Sequence, residues 1–235
     1  MNSERWMGDS LNALLIAGTD AGVGKTLLTV SLASYWQRYS SKSLGLFSPV
    51  QCGEQRELYT DWFTLDQSPE AINPLHFQSP LAPPIAAQQQ GERVSLKRLW
   101  QILERLTQER EFVLIDSWGG LGSPLTNEAT WADLAWDWRL PTVLVVPVGP
   151  GAIAQAVAHV ALAKHSRVNL KGIILNCVQP CHRHEIEDWA NVDLIQGLTN
   201  KPILGCLPHV DRTTDLSKLT QIASGLEVER LMPLY

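Results

Sequence analysis

The chain has 235 residues, 45% of them apolar and 18% charged, with a formal net charge of −5. That length suits one α/β domain over residues 1–235, and the apolar share supports a sizeable buried core. The acidic balance argues against a nucleic-acid partner, which calls for a basic face.

Short apolar runs alternate with helix-compatible segments along the whole chain. The runs are Ala13 to Ala17, Leu44 to Phe47, Phe112 to Ile115, Val143 to Val146, Gly172 to Leu175 and Pro202 to Gly205. Helices are expected at Lys25 to Tyr39, Ser95 to Gln108, Thr130 to Trp138, Ala152 to His165, His182 to Ala190 and Thr214 to Ala223. Strands that are apolar throughout, not alternating, are buried on both faces. Their alternation with helices predicts a single doubly wound, mostly parallel sheet flanked by helices. Each run leads into small or polar residues: Gly18-Thr19-Asp20, Ser48 to Gly53, Asp116 to Gly120, Gly149-Pro150-Gly151, Asn176-Cys177 and Pro208-His209. In a parallel sheet these carboxyl ends share one edge, where open α/β sheets bind ligands.

The first of those exits is the most specific. Gly18-Thr19-Asp20-Ala21-Gly22-Val23-Gly24-Lys25-Thr26 lies between a strand and a helix, as in the phosphate-binding loop of nucleoside triphosphatases. The four-residue spacer before Gly24 counts back to Thr19, one place later than the usual glycine. Glycines let successive amides turn onto phosphate oxygens, and the helix start adds partial positive charge. Lys25 is expected on the β and γ phosphates and the Thr26 hydroxyl on magnesium. Asp116, placed by its run at the close of a strand, is the expected second magnesium residue, with Asp20 a further carboxylate nearby. Asn176 suits either a purine edge or a left-handed turn.

Other features carry less. Cys52, Cys177, Cys181 and Cys206 show no paired framework and read as small apolar fillers. A zinc reading of Cys177, Cys181, His182 and His184 lacks a second ligand cluster. Nine tryptophans, three of them at Trp131, Trp136 and Trp138, suggest packing or a subunit contact. Met1 to Ser10 lacks the apolar core of a signal peptide, and no apolar run is long enough to span a bilayer. A cytoplasmic protein without a membrane partner is therefore expected.

Five motifs occur in a consistent order. They are the phosphate loop with Asp20, Val23 and Gly24-Lys25-Thr26; Pro49-Val50-x-x-Gly53; Pro84-Ile85-Ala86-Ala87 with Gly91; Gly119-Gly120-x-x-x-Pro124-Leu125; and the strand reaching Asn176. From Leu11 to Val210 the chain thereby resembles ATP-dependent dethiobiotin synthetase. The resemblance implies a carboxylating cyclo-ligase of biotin biosynthesis, using 7,8-diaminononanoate, CO₂, ATP and magnesium, and a homodimer. It implies a nucleotide-binding set of Asp20 to Thr26, Asn176 and Pro208, in which Lys25 and the amides of Gly22 to Thr26 hold phosphates and Asn176 faces adenine, while Thr26 and Asp116 face magnesium. Some positions depart from the family. Ser48 stands where a lysine faces the reacting groups, and Gln55 where a magnesium-binding aspartate is found, with Glu54, Glu57 or Asp61 as substitutes. Asp116 replaces a glutamate, Ala21 a hydroxyl residue, and Gly149-Pro150 a lysine-containing pair. Two outcomes follow: a synthetase whose rate Ser48→Lys would raise, or a weakly active or non-catalytic nucleotide-binding relative with a regulatory role. A partitioning-type dimer-switch ATPase fits less well, because positions 19 to 23 lack its extra lysine.

Overall fold

The structure, a computed structural model, describes residues 11–54, 56–211 and 213–234. Six strands form its main sheet: β1 (Ala13–Gly18), β2 (Leu44–Phe47), β5 (Phe112–Gly120), β6 (Thr142–Pro147), β7 (Leu170–Asn176) and β8 (Ile203–Leu207). Their order is β2-β5-β1-β6-β7-β8 and every pairing is parallel. The doubly wound sheet expected from the alternating pattern is thus present.

Burial on both faces is visible within single strands. In β1, Ala13, Leu15 and Ala17 enter one core while Leu14 and Ile16 enter the other. Fully burying a leucine contributes about 1.5–3 kcal/mol, so this strand anchors both layers at once. Helix α1 (Lys25–Tyr39) covers one face with Leu28, Leu32 and Trp36, and Trp36 stacks on Phe112 of β5 at 5.4 Å. Helix α4 (Leu96–Glu109) covers the other with Leu99, Leu103 and Leu106, its start capped by the Ser95 side chain on the Arg98 amide.

The chain leaves β1 for β2 at one edge, later inserts β5 beside β1, and then crosses to β6 on the other side. The sheet order reverses there, so the loop after β1 sits at the switch point, outside the carboxyl ends. Helices α5 (Trp131–Asp137), α6 (Ala152–His165), α7 (Arg183–Trp189) and α9 (Leu216–Ser224) match expected segments to within a few residues. Three helices lay outside that reading: α2 (Pro69–Ile72), α3 (Pro83–Gln89) and α8 (Val192–Thr199). So did a small second sheet, β3 (Val50–Cys52) with β4 (Leu75–Phe77). These strands have three residues each, too few to show any period.

One expectation needs correction. Asp116 does not close its strand; β5 continues to Gly120 because its pairing with β1 resumes, after a bulge, at Gly18↔Gly120. Glycine is required there, since a Cβ on Gly120 would stand 2.5 Å from the Thr19 carbonyl oxygen.

Candidate nucleotide site

Between β1 and α1 the backbone turns twice into the left-handed region, at Gly22 (φ 71°) and Gly24 (φ 99°). Side chains rarely tolerate those angles, and they leave successive amides aimed to one side as an anion nest. Helix α1 starts at Lys25, so its amides and dipole face the same concavity.

Lys25 is nearly buried, and its Nζ donates to the Asp20 carbonyl over 2.8 Å. Burial lowers the lysine's pKa, opposed by the Asp116 and Asp20 charges. An ammonium held against the loop's own backbone has a short path to any phosphate in the nest. The Asp20 carboxylate is exposed and accepts from the Ala21 amide at 2.7 Å. Ala21 and Gly22 are exposed, whereas Val23 is buried beneath the loop.

Thr26 Oγ1 donates to Asp116 Oδ2 at 2.9 Å, joining α1 to the middle of β5. The Tyr59 hydroxyl donates to the same oxygen at 3.1 Å. Asp116 is 5% exposed, and its Oδ1 has no hydrogen-bond partner among the described residues. Burial raises the Asp116 pKa, countered by Lys25, Thr26 and Tyr59, while the nearby Glu57 charge adds to the rise. A free carboxylate oxygen beside a threonine hydroxyl suits Mg²⁺, which takes one or two carboxylates and fills its remaining positions with water and phosphate. The donor set therefore fits the ion.

Asn176, at the end of β7, is 3% exposed and sends Nδ2 to the Val23 carbonyl at 2.7 Å. A carbonyl only accepts, so the amide nitrogen must face it. That leaves Asn176 Oδ1 buried and without a partner among the described residues. Pro208 is exposed just beyond β8, and the neighbouring His209 ring bonds to the Val178 carbonyl at 2.9 Å. Gly149-Pro150-Gly151 leads into α6 at the same edge, where Thr19 Oγ1 reaches Gln155 Oε1 at 2.9 Å.

Ser48, at the exit of β2, is 3% exposed; its Oγ accepts from Gln51 Nε2 at 3.0 Å, and Asn73 Nδ2 bonds its carbonyl at 2.7 Å. Gln55 lies outside the described residues. Of its possible substitutes, Glu57 is close enough for its charge to act on Asp116, whereas Glu54 and Asp61 are exposed. Tyr59 and Gln51 were absent from the sequence-based candidates, since neither stands in a phosphate-loop motif nor on a periodic face.

The cysteines stay thiols, with Cys177 and Cys206 at 4.0 Å between sulfurs. Among the described residues no group of three His, Cys, Asp or Glu side chains is placed to hold a metal. Trp131 and Trp138 are buried; Trp136 is half-exposed with the Arg167 guanidinium over its ring at 5.7 Å. Among the described residues no helix is long and apolar enough to cross a membrane.

A strand, a two-glycine nest, a lysine opening a helix and a threonine paired with a buried aspartate define a phosphate-loop nucleotide-binding α/β protein. A family model described as an AAA domain matches residues 12–217. A ParA family ATPase from Chlorobium tepidum shares the fold at a TM-score of 0.53 and 13% identity, over 94% of each chain. A MinC:MinD complex chain from Aquifex aeolicus does so at 0.52 and 16%, over 89% of this chain and 86% of that one. Sequence relatives are much nearer. The ATP-dependent dethiobiotin synthetase of Gloeothece citriformis is 53% identical over 94% of this chain and 99% of its own. That of Crocosphaera subtropica is 48% identical over 94% and 100%. The chain belongs to the ATP-dependent dethiobiotin synthetase family.

Proposed function

We propose that this site makes dethiobiotin, closing the ureido ring of 7,8-diaminononanoate with CO₂ at the expense of ATP. The observation that carries this reading is near end-to-end identity of 53% and 48% with two synthetases, in a chain whose Lys25, Thr26 and Asp116 are assembled around one nest. Of the two outcomes left open by the sequence, the active ligase is the one the relatives support.

The substrate amine takes up CO₂ as a carbamate, the carbamate oxygen attacks the γ-phosphorus and expels ADP, and the second amine attacks the carbamoyl carbon to close the ring as phosphate and a proton leave. The residues present act on charge and position. Lys25 Nζ exchanges the Asp20 carbonyl for β- and γ-phosphate oxygens, and the amides of Gly22 to Thr26 cradle the same groups. Thr26 and Asp116 would hold magnesium, which would supply charge neutralisation at the phosphates. Asn176 Oδ1 accepts from the adenine amino group, with the Pro208 loop beside the base. Ser48 brings no positive charge to the reacting centre, so Lys25 and the start of α1 carry the charge stabilisation there.

A homodimer accompanies this reading. Apolar side chains line an open groove along α6, α7 and α8: Ile153, Val157, Trp189 and Leu198. Leu194 and Leu198 are about half-exposed, and α6 starts at the nucleotide edge of the sheet. A second copy covering this face sits beside the site. A reaction that consumes ATP fits a cytoplasmic location.

The deciding experiment incubates the purified protein with diaminononanoate, bicarbonate, ATP and magnesium, and measures dethiobiotin by mass. ATP-dependent product is expected. A folded, ATP-binding protein that forms none overturns the synthetase reading.

A further inference from the structure

Tyr59 belongs to the connection between β3 and α2, a stretch without regular secondary structure, yet its side chain is 0% exposed. Its backbone is in the left-handed region at φ 60°. A bulky residue takes that conformation only where its surroundings compel it, and such residues gather at functional sites. The compulsion is visible. Glu57 Oε1 accepts from the Tyr59 amide at 2.8 Å, and the Tyr59 carbonyl accepts from the amides of Trp62 at 3.1 Å and Phe63 at 3.0 Å. Gln51 grips the same segment through both backbone groups of Glu57, at 2.8 and 3.0 Å.

The hydroxyl lies between Ser48 and Asp116. Gln51 Nε2 donates to Ser48 Oγ at 3.0 Å. Ser48 lies close enough to act on the Tyr59 hydroxyl, which donates to Asp116 Oδ2 at 3.1 Å. Thr26 donates to that same oxygen. Both hydroxyls are spent on Oδ2, and Oδ1 is left buried without a donor among the described residues.

We propose that Tyr59 is a positioning residue for the cation-binding carboxylate: with Thr26 it fixes Asp116 through one oxygen and reserves the other for the magnesium that accompanies ATP. The proposal rests on the reading of Thr26 and Asp116 as the magnesium pair. Hydrogen-bond partners of metal-binding carboxylates set the orientation of the ligand, and losing one typically costs about 10- to 100-fold in metal affinity.

The test is ATP binding by calorimetry, titrated with magnesium and repeated in chelator, on the full chain. Tyr59→Phe is expected to raise the magnesium needed for half-maximal tightening of ATP by about tenfold, with affinity in chelator within about twofold of the parent. Ser48→Ala, which keeps the tyrosine ring, is expected to move the magnesium requirement the same way, and it serves alone should Tyr59→Phe not fold. An unchanged magnesium requirement, or an equal loss with and without magnesium, overturns the proposal. Asp116→Asn separates the two layers of the argument. If it abolishes magnesium dependence while Tyr59→Phe leaves it intact, the tyrosine proposal fails alone; if Asp116→Asn changes nothing, the magnesium reading beneath it fails too.

Discussion

The Asn176 amide reaches the Val23 carbonyl over 2.7 Å, tying the phosphate loop to a strand that ends 153 residues further along the chain. Gly24 makes this contact possible, because a Cβ there would stand 2.0 Å from Asn176 Nδ2. Gly24→Ala is therefore expected to be costly twice over. The left-handed backbone alone contributes about 1–3 kcal/mol of strain, and the collision displaces Asn176 from Val23. Urea unfolding should show that loss, with ATP affinity down at least about tenfold, or 1.4 kcal/mol. Adding Asn176→Ala should recover part of the stability, since the two sites touch and their effects do not add.

Lys25→Ala should abolish measurable ATP binding while the far-ultraviolet spectrum stays that of the parent. The lysine's partner, Asp20, is exposed and can turn its freed carbonyl to water. Unchanged affinity in a nucleotide titration would mean that the loop is only a structural turn.

Ser48→Lys reads differently from the structure than from the sequence. By resemblance, the lysine restores charge and raises the rate. Yet Ser48 is 3% exposed, bonded to Gln51 and set beside Tyr59, so a lysine must push into filled space next to the tyrosine that donates to Asp116. Overpacking of this kind costs about 1–3 kcal/mol. A lower melting temperature with no gain in dethiobiotin formation is expected; a tenfold gain would restore the sequence-based view.

At the start of α5, Asp133 Oδ2 accepts from the Thr130 amide at 2.8 Å and from its hydroxyl at 2.7 Å. These bonds hold the carboxyl below its ordinary value of 3.8. A carboxylate depressed in the folded state stabilises fully above its unfolded pKa and loses that contribution as pH falls through the folded value. Asp133→Asn should cost about 0.5–1 kcal/mol at neutral pH, and the gap from the parent should close as pH drops below 3.8. A gap that persists at low pH would assign the effect to packing.

Leu198→Asp, in the exposed groove of α6 to α8, should convert a dimer to a monomer in sedimentation at micromolar concentration. A parent chain already monomeric under those conditions would remove the homodimer from the proposed function.

What the sequence determined by itself is the part written in local and periodic terms. Continuous apolar runs specify doubly buried strands, and Gly22, Gly24 and Lys25 specify a nest opening onto a helix, because φ preference and burial act on neighbours in the chain. The helix from Lys25 to Tyr39 and the parallel order of strands follow from that. Tertiary structure decided everything that depends on distant segments meeting. No pattern around residue 59 announces that its hydroxyl reaches Asp116, 57 residues away. Nor does any pattern show that the Asn176 nitrogen is committed to Val23, or that β5 runs past Asp116 to meet Gly18 again. Side-chain hydrogen bonds across such separations leave no period to read. They exist because the folded sheet brings the carboxyl ends of β1, β2, β5 and β7 to one edge, where buried polar atoms must find partners among whatever the topology has placed beside them.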